Sequence, residues 1–134
     1  MRVPRQKLLA LAKMIGNAET GRRCRAQANL VFVSDRKMRI LNRDYRKKDT
    51  TTDVLSFCID DVAANDTIFG EIYISVEQAR RQATGYGATL NEEIVRLTCH
   101  GLLHLFGYDH KRKAETVLMQ EKEQLYLNRL VGSR

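Results

Sequence analysis

The stretch TLNEEIVRLTCHGLLHLFGYDH spans residues 89–110 and contains every histidine of the chain, namely His100, His104 and His110. Thr89 and Glu92 form a capping-box pair at its start, and Gly107 is a typical helix-ending residue near its end. One turn of the predicted helix separates His100 from His104, so both imidazoles leave the same face. Because glycine readily adopts a left-handed conformation, Gly107 allows the chain to reverse and return His110 to that face.

Three neutral imidazoles in one place are a donor set for a divalent metal ion, with Zn²⁺ as the usual occupant. Closed structural zinc sites have four ligands and favour cysteine, whereas Cys99 points about 100° away from His100 on a helix. The remaining position is free for water, which makes catalysis possible. The alternatives are histidines that merely fill the core and a closed structural zinc site. We predict one Zn²⁺ per chain, bound by His100, His104 and His110.

The spacing of the histidines equals that of the metzincin proteases except at one position. Those proteases carry a glutamate next to the first histidine, and this chain has Gly101 there. That glutamate is the general base of metzincin proteolysis, so the same peptide-cleaving mechanism is disfavoured here.

A row of basic side chains lies on the helix predicted from Ser34 to about Lys47. Within an arc of about 100° this helix carries Arg36, Arg39, Arg43, Arg46 and Lys47. Arginine binds phosphate through two parallel hydrogen bonds, so such a row fits a nucleic-acid backbone. A merely solvated basic face is the alternative. A different face, predicted to pack inward, carries Met38, Leu41 and Tyr45.

The charge distribution agrees with a polyanionic partner. The formal net charge is +7, and residues 1–50 contain 14 basic against 4 acidic side chains. We expect nucleic acid rather than a membrane, because no lipid anchor or strongly amphipathic terminal helix is evident. Solubility alone is the alternative reading. The absence of a ~20-residue apolar stretch or a signal-peptide core, with an odd number of cysteines, predicts a cytoplasmic protein with reduced thiols.

The 134 residues predict one domain, 1–134. The expected fold is α+β, with a small mixed sheet of three or four strands and about five helices. Helix-ending and capping residues set most of the predicted boundaries. The predicted elements are a helix from Pro4 to Ile15 ended by Gly16, a strand at 28–33, the basic helix, antiparallel strands at 54–58 and 69–75 separated by a polar loop at 60–66, helices opened by Ser75 and Thr89, and a helix at 112–130.

Several segments of the chain form a specific combination together with the histidines. They are Asn42, Tyr45, Arg46, Asp49, the run TDVLSF at 52–57, Gly70 with Glu71, and residues 100–110. This combination, over about residues 30–127, resembles the YbeY family of metal-dependent endoribonucleases of bacterial ribosomal RNA maturation. The chain departs from the family pattern at Thr51 and Cys58, where prolines are usual, in its short C-terminus, and in beginning at the predicted first helix rather than at a strand.

The resemblance implies a fold like that of the metzincins, with the three histidines as zinc ligands and Arg46 as the functionally important arginine. It also implies action on the 3′ end of small-subunit ribosomal RNA, a role in ribosome quality control, and contact with the small ribosomal subunit and the GTPase Era.

We therefore expect hydrolysis of a phosphodiester bond in single-stranded RNA. Arg46 would be catalytic by offsetting charge in the transition state, and RNA binding would involve Arg36, Arg39, Arg43 and Lys47. The residue patterns do not identify a general base. Asp109 and Glu93 could order a ligand or water or have structural roles, and Glu71 could be a buried anchor or support the site. The alternatives are a metal-dependent hydrolase of peptides or amides, and a non-catalytic, zinc-stabilised ribosome assembly factor.

Overall fold

The computed structural model describes residues 2–20, 25–62 and 67–132 of the chain. The elements follow the predicted order of helix, strand, helix, two strands and three helices. They are α1 (Arg5–Thr20), β1 (Arg25–Val33), α2 (Asp35–Arg46), β2 (Val54–Val62), β3 (Thr67–Ser75), α3 (Val76–Tyr86), α4 (Leu90–Leu105) and α5 (Lys113–Gly132). No helix in these ranges is long and apolar enough to cross a lipid bilayer.

The sheet is mixed and has the strand order β1-β3-β2 within the described residues. β3 runs parallel to β1 and antiparallel to β2, which confirms the predicted antiparallel pair. Residues 60–62 of the predicted polar loop belong to β2 instead, because backbone pairing resumes after an irregularity between Cys58 and Asp60 and continues to Val62. Residues 63–66 of that predicted loop lie outside the described residues. The ladder therefore extends through acidic residues that the side-chain pattern alone places in a loop.

The two faces of the sheet pack against different helices. Met38 and Leu41 of α2 pack with Leu55 on one face, whereas Ile72 and Ile74 on the opposite face pack in the core that α4 shares. α1 and α5 pack against α4 and against each other. This arrangement places α4, the histidine helix, directly against the sheet.

The predicted end of the first helix at Gly16 is wrong. α1 continues to Thr20, and Gly16 is buried inside the helix. The Thr20 hydroxyl donates a hydrogen bond to the Gly16 carbonyl at 2.7 Å. A glycine in a helix costs about 1 kcal/mol relative to alanine, and packing of the buried Leu8, Leu11 and Ile15 overrides that preference.

The predicted inward packing of Tyr45 is also wrong. Its side chain is 67% exposed and meets Phe57 edge-on, with ring centroids 5.2 Å apart. Asn42 takes the buried position in this part of α2 instead, since its amide Nδ2 donates to the Thr50 carbonyl at 2.8 Å. That bond holds the segment between α2 and β2 against the helix.

Candidate metal centre

α4 begins at the capping box that the sequence predicts. The Thr89 hydroxyl accepts from the Glu92 amide at 3.1 Å, and the Glu92 carboxylate accepts from the Thr89 amide at 2.9 Å. The Thr89 amide lowers the pKa of Glu92. The helix ends at Leu105, and Gly107 follows with a φ of +97°, the left-handed conformation expected at the chain reversal.

The structure brings the three predicted histidines together. Their metal-ligating nitrogens all lie within 4.8 Å of one another. Nε2 of His100 and Nε2 of His104 are 3.2 Å apart, and the ring of His110 is centred 5.1 Å from that of His104. His100 and His104 are half-buried and His110 is exposed, so the cluster opens to solvent on one side.

The electrostatics of the cluster favour a neutral imidazole at His104. Burial, followed by the proximity of His100 and His110, lowers the pKa of His104 from 6.5 to about 4. A metal ion requires the neutral, lone-pair-bearing form of each ligand. The donor set therefore fits a divalent transition metal, with three imidazoles and space for a further ligand.

The loop after α4 holds His110 in place. The Tyr108 amide donates to the Leu103 carbonyl at 3.0 Å, which closes the turn. The carboxylate of Asp109 accepts from the His110 amide at 2.7 Å, and this bond lowers the pKa of Asp109. The Tyr108 hydroxyl donates to Glu19 of α1 at 2.7 Å. Asp109 therefore has a backbone-fixing role in this structure.

Gly101 lets α4 lie against the sheet beside the cluster. A Cβ atom at this position would come within 2.8 Å of Ile72 Cγ2 and 3.0 Å of Ser56 Oγ. The Ser56 hydroxyl also donates to the Gly101 carbonyl at 3.2 Å. Close packing of α4 thus gives Gly101 a structural role at the position where the metzincins have their glutamate.

Replacing Gly101 by alanine is expected to lower the free energy of unfolding of the metal-free protein by about 1–3 kcal/mol, the usual cost of overpacking. Gly85→Ala is the matched control, because Gly85 also lies in a helix and nothing lies within 4 Å of an added Cβ. The control should gain about 0.5–1 kcal/mol from helix propensity. Urea denaturation measures both, and equal gains in the two variants would contradict the close approach at Gly101.

A cleft of about 280 Å³ joins the histidines to the end of α2. Arg46 lines it together with Asn42, Asp53 and Ser56. Lys47 adopts a left-handed conformation with a φ of 61° and ends α2, and the residues that follow, 48 and 50–56, also line the cleft. The structure thus brings Arg46 to the same cavity as all three histidines.

The other basic residues of α2 lie outside that cavity. The side chains of Arg36, Arg39, Arg43 and Lys47 are exposed, and so is that of Arg46 at the cleft. Arg39 makes two hydrogen bonds to Asp49, at 2.9 and 3.2 Å, and Arg43 contacts Asp44 at 3.2 Å. These pairs are exposed, and such pairs contribute about 0–1 kcal/mol, so phosphate could compete for both arginines.

The acidic residues Glu93 and Glu71, singled out from the sequence, and Asp53, which lines the cleft, have partners in the fold. Glu93 is 2% exposed and accepts two hydrogen bonds from Arg96 at 2.7 and 2.8 Å. Asp53, which lines the cleft, accepts from the Val54 amide at 2.8 Å. Glu71 accepts from Tyr73, a side chain packed on the α2 face of the sheet. Glu93 and Glu71 therefore have structural partners in this fold.

Two residues that support the site, Ser56 and Glu123, have roles that the sequence patterns do not predict. The Oε1 atom of Glu123, in α5, lies 2.8 Å from Nδ1 of His100. The sequence does contain a signal for this contact, because Glu123 lies on the otherwise apolar stripe of α5 between Met119 and Tyr126, which are both buried. An acidic residue at such a position indicates a polar partner inside the fold.

Cys99 is not part of the histidine cluster. It is fully buried on another side of α4, and burial raises the pKa of its thiol to about 12. The residue is therefore part of the core, as predicted. Cys24 lies outside the described residues.

Comparison with known protein families matches residues 2–131 to the family described as Endoribonuclease YbeY. The chain belongs to the YbeY family. Endoribonuclease YbeY of Anaeromyxobacter dehalogenans is 43% identical over 98 residues, which cover 73% of this chain and 51% of that protein. Endoribonuclease YbeY of Bacillus licheniformis is 36% identical over 144 residues, which cover 99% of this chain and 91% of the relative.

A solved structure confirms the predicted YbeY-type α+β fold. The solution structure of TM1509 from Thermotoga maritima is 29% identical and has a TM-score of 0.66. The match covers 96% of this chain and 81% of TM1509. The resemblance that rests on the histidine run and residues 52–57 therefore extends to the whole arrangement of helices and strands.

Proposed function

We propose that this protein is a metal-dependent endoribonuclease that cleaves single-stranded RNA. The observation that carries the proposal is the shared cleft, in which three clustered imidazoles and the Arg46 guanidinium line one cavity of about 280 Å³. Imidazoles bind a metal ion, and a guanidinium binds phosphate. Membership of the YbeY family supports RNA as the phosphate-bearing substrate.

His100, His104 and His110 would hold the metal ion, with Zn²⁺ as the proposed occupant at one per chain. When bound, such an ion supplies Lewis acidity for phosphodiester hydrolysis. The low pKa of His104 keeps its imidazole neutral at physiological pH. Asn42 holds the segment that forms the wall of the cleft, and Gly101 keeps α4 close to β2.

Arg46 is the proposed catalytic residue. Among the described residues it has no acidic partner, in contrast to Arg39 and Arg43, so its guanidinium is available to a phosphate in the cleft. There it would offset the negative charge that develops on the phosphoryl oxygens. The proposed contacts to the RNA backbone on either side involve Arg36, Arg39, Arg43 and Lys47.

The proposed substrate is the 3′ end of small-subunit ribosomal RNA, in its maturation and in ribosome quality control in the cytoplasm. The proposed partners are the small ribosomal subunit and the GTPase Era. The basic face of α2 supports a polyanionic partner of this kind, because its five cationic side chains are exposed.

Incubation of the purified protein with RNA and with casein, each with and without a chelator, tests the proposal. We expect chelator-sensitive cleavage of RNA and none of casein. Cleavage of casein would favour a peptide hydrolase, for which the metzincin-like histidine spacing is the supporting observation. Metal binding without cleavage of RNA, including RNA in small ribosomal subunits, would favour a non-catalytic assembly factor.

RNA affinity is expected to depend on salt through the basic face of α2. Replacing both Arg39 and Arg43 by alanine should reduce the slope of log affinity against log salt by about 1.4, because each lost contact to single-stranded nucleic acid contributes about 0.7. Binding measured between low and physiological salt gives the slope. The control replaces Lys7 and Lys13, two exposed lysines of α1. An unchanged salt slope in the Arg39 and Arg43 double variant would show that the basic face of α2 is only a solvated surface.

A further inference from the structure

A hydrogen bond between side chains joins the histidine cluster to the last helix, α5. Oε1 of Glu123 lies 2.8 Å from Nδ1 of His100. Both side chains are largely shielded, with exposed fractions of 15% for Glu123 and 23% for His100. Shielding from water strengthens such a bond and slows its exchange with solvent.

The two ring nitrogens of His100 face different partners. Nδ1 faces the Glu123 carboxylate, an acceptor, whereas Nε2 faces Nε2 of His104 at 3.2 Å. A carboxylate next to Nδ1 favours the tautomer that carries its proton on Nδ1. The lone pair of Nε2 then points into the cluster.

The fold fixes Glu123 rather than leaving it on a mobile surface. Met119 and Tyr126, one turn before and after it on α5, are 2% and 1% exposed. The nearest arginine of α4, Arg96, donates its own two hydrogen bonds to Glu93. The Glu123 carboxylate is therefore held by the core packing of α5 and directed to His100.

We propose that Glu123 is a positioning residue that sets the tautomer and ring orientation of His100 for metal binding. The proposal rests on the metal-dependent function given above. Carboxylates that accept from the outer nitrogen of a ligating histidine raise its basicity and fix its ring, and their loss lowers metal affinity by about 10–100-fold. Glu123 acts through His100 and needs no contact with RNA.

The test measures zinc affinity by competition with a chelator, starting from metal-free protein. Glu123→Ala should bind zinc about 10–100-fold more weakly than wild type. Glu123→Gln, whose amide oxygen still accepts a hydrogen bond, should recover part of that loss. Glu121→Gln is the matched control, because Glu121 lies on the same helix and is exposed. It should bind zinc as wild type does.

A second measurement separates positioning from a merely structural role. Nitrogen NMR of the metal-free protein reports which ring nitrogen of His100 carries the proton, and we expect Nδ1 in wild type and loss of that preference in Glu123→Ala. Wild-type zinc affinity or an unchanged His100 tautomer in Glu123→Ala would overturn the inference. Absence of zinc binding by wild type itself would instead overturn the proposed function. If Glu123→Ala does not fold, the zinc affinity of Glu123→Gln decides, since the inference requires it to be weaker than that of wild type.

Discussion

Purified protein in which His104 is replaced by alanine is expected to contain close to no transition metal, whereas wild type contains about one ion per chain. His104 lies between the other two ligands, with its Nε2 atom 3.2 Å from that of His100 and its ring 5.1 Å from that of His110. Its removal leaves two imidazoles whose ring centroids are 5.8 Å apart. Two donors hold a divalent ion far less tightly than three.

Elemental analysis after gel filtration measures this loss. Thermal unfolding in the presence of a chelator is the control, because wild type and His104→Ala should then differ little if the substitution removes a ligand rather than the fold. Freshly purified wild type without metal, and without uptake of added zinc, would contradict the prediction. The same experiment identifies the resident metal.

Replacing Arg46 by glutamate is expected to abolish detectable RNA cleavage while metal content stays that of wild type. Loss of a group that stabilises transition-state charge lowers the rate by about 10²–10³-fold, and the added carboxylate repels phosphate as well. Arg46 is exposed, so the free energy of unfolding should change by about 0.5 kcal/mol or less. Lys37→Glu is the control, because Lys37 is an exposed cation of the same helix that does not line the cleft.

Single-turnover cleavage at saturating protein distinguishes catalysis from affinity for this variant. Weaker RNA binding is compensated under these conditions, so the remaining defect belongs to the chemical step. We expect Lys37→Glu to cleave at the wild-type rate and Arg46→Glu to stay inactive. Recovery of the wild-type rate by Arg46→Glu would show that Arg46 contributes binding alone.

The histidine cluster could be predicted from the sequence because most of its arrangement is local. Two histidines one helical turn apart and a glycine after the helix bring the three imidazoles together within eleven residues. The ends of α2 and α4 and the C-terminal end of β1 follow capping and strand-forming residues for the same reason, whereas β1 begins at Arg25, three residues before the predicted start. Residues that are neighbours in the sequence determine both the histidine cluster and these element ends.

Features that depend on distant packing could not be predicted in this way. Glu123 contacts His100 across 23 residues of sequence, and Asn42 replaces Tyr45 as the buried residue because it meets Thr50. The burial of Gly16 inside α1 is likewise a result of packing rather than of helix propensity. In each case a tertiary contact outweighs a local preference of about 1 kcal/mol.

Glu19 has a consequence for the order in which the protein folds. Its carboxylate accepts from Tyr108, two residues before His110, and from Tyr126 of α5, which lies 107 residues further along the chain. Bringing residues so far apart in sequence together costs conformational entropy. The contact therefore stabilises the fold only after that loop has closed. A nascent chain can form α4 with two histidines in place, but Glu19 gains its second partner, and His100 its contact with Glu123, only after α5 has been synthesised and has docked. Tight capture of a metal ion is therefore expected as a late event of biosynthesis, when residues far apart in sequence have met.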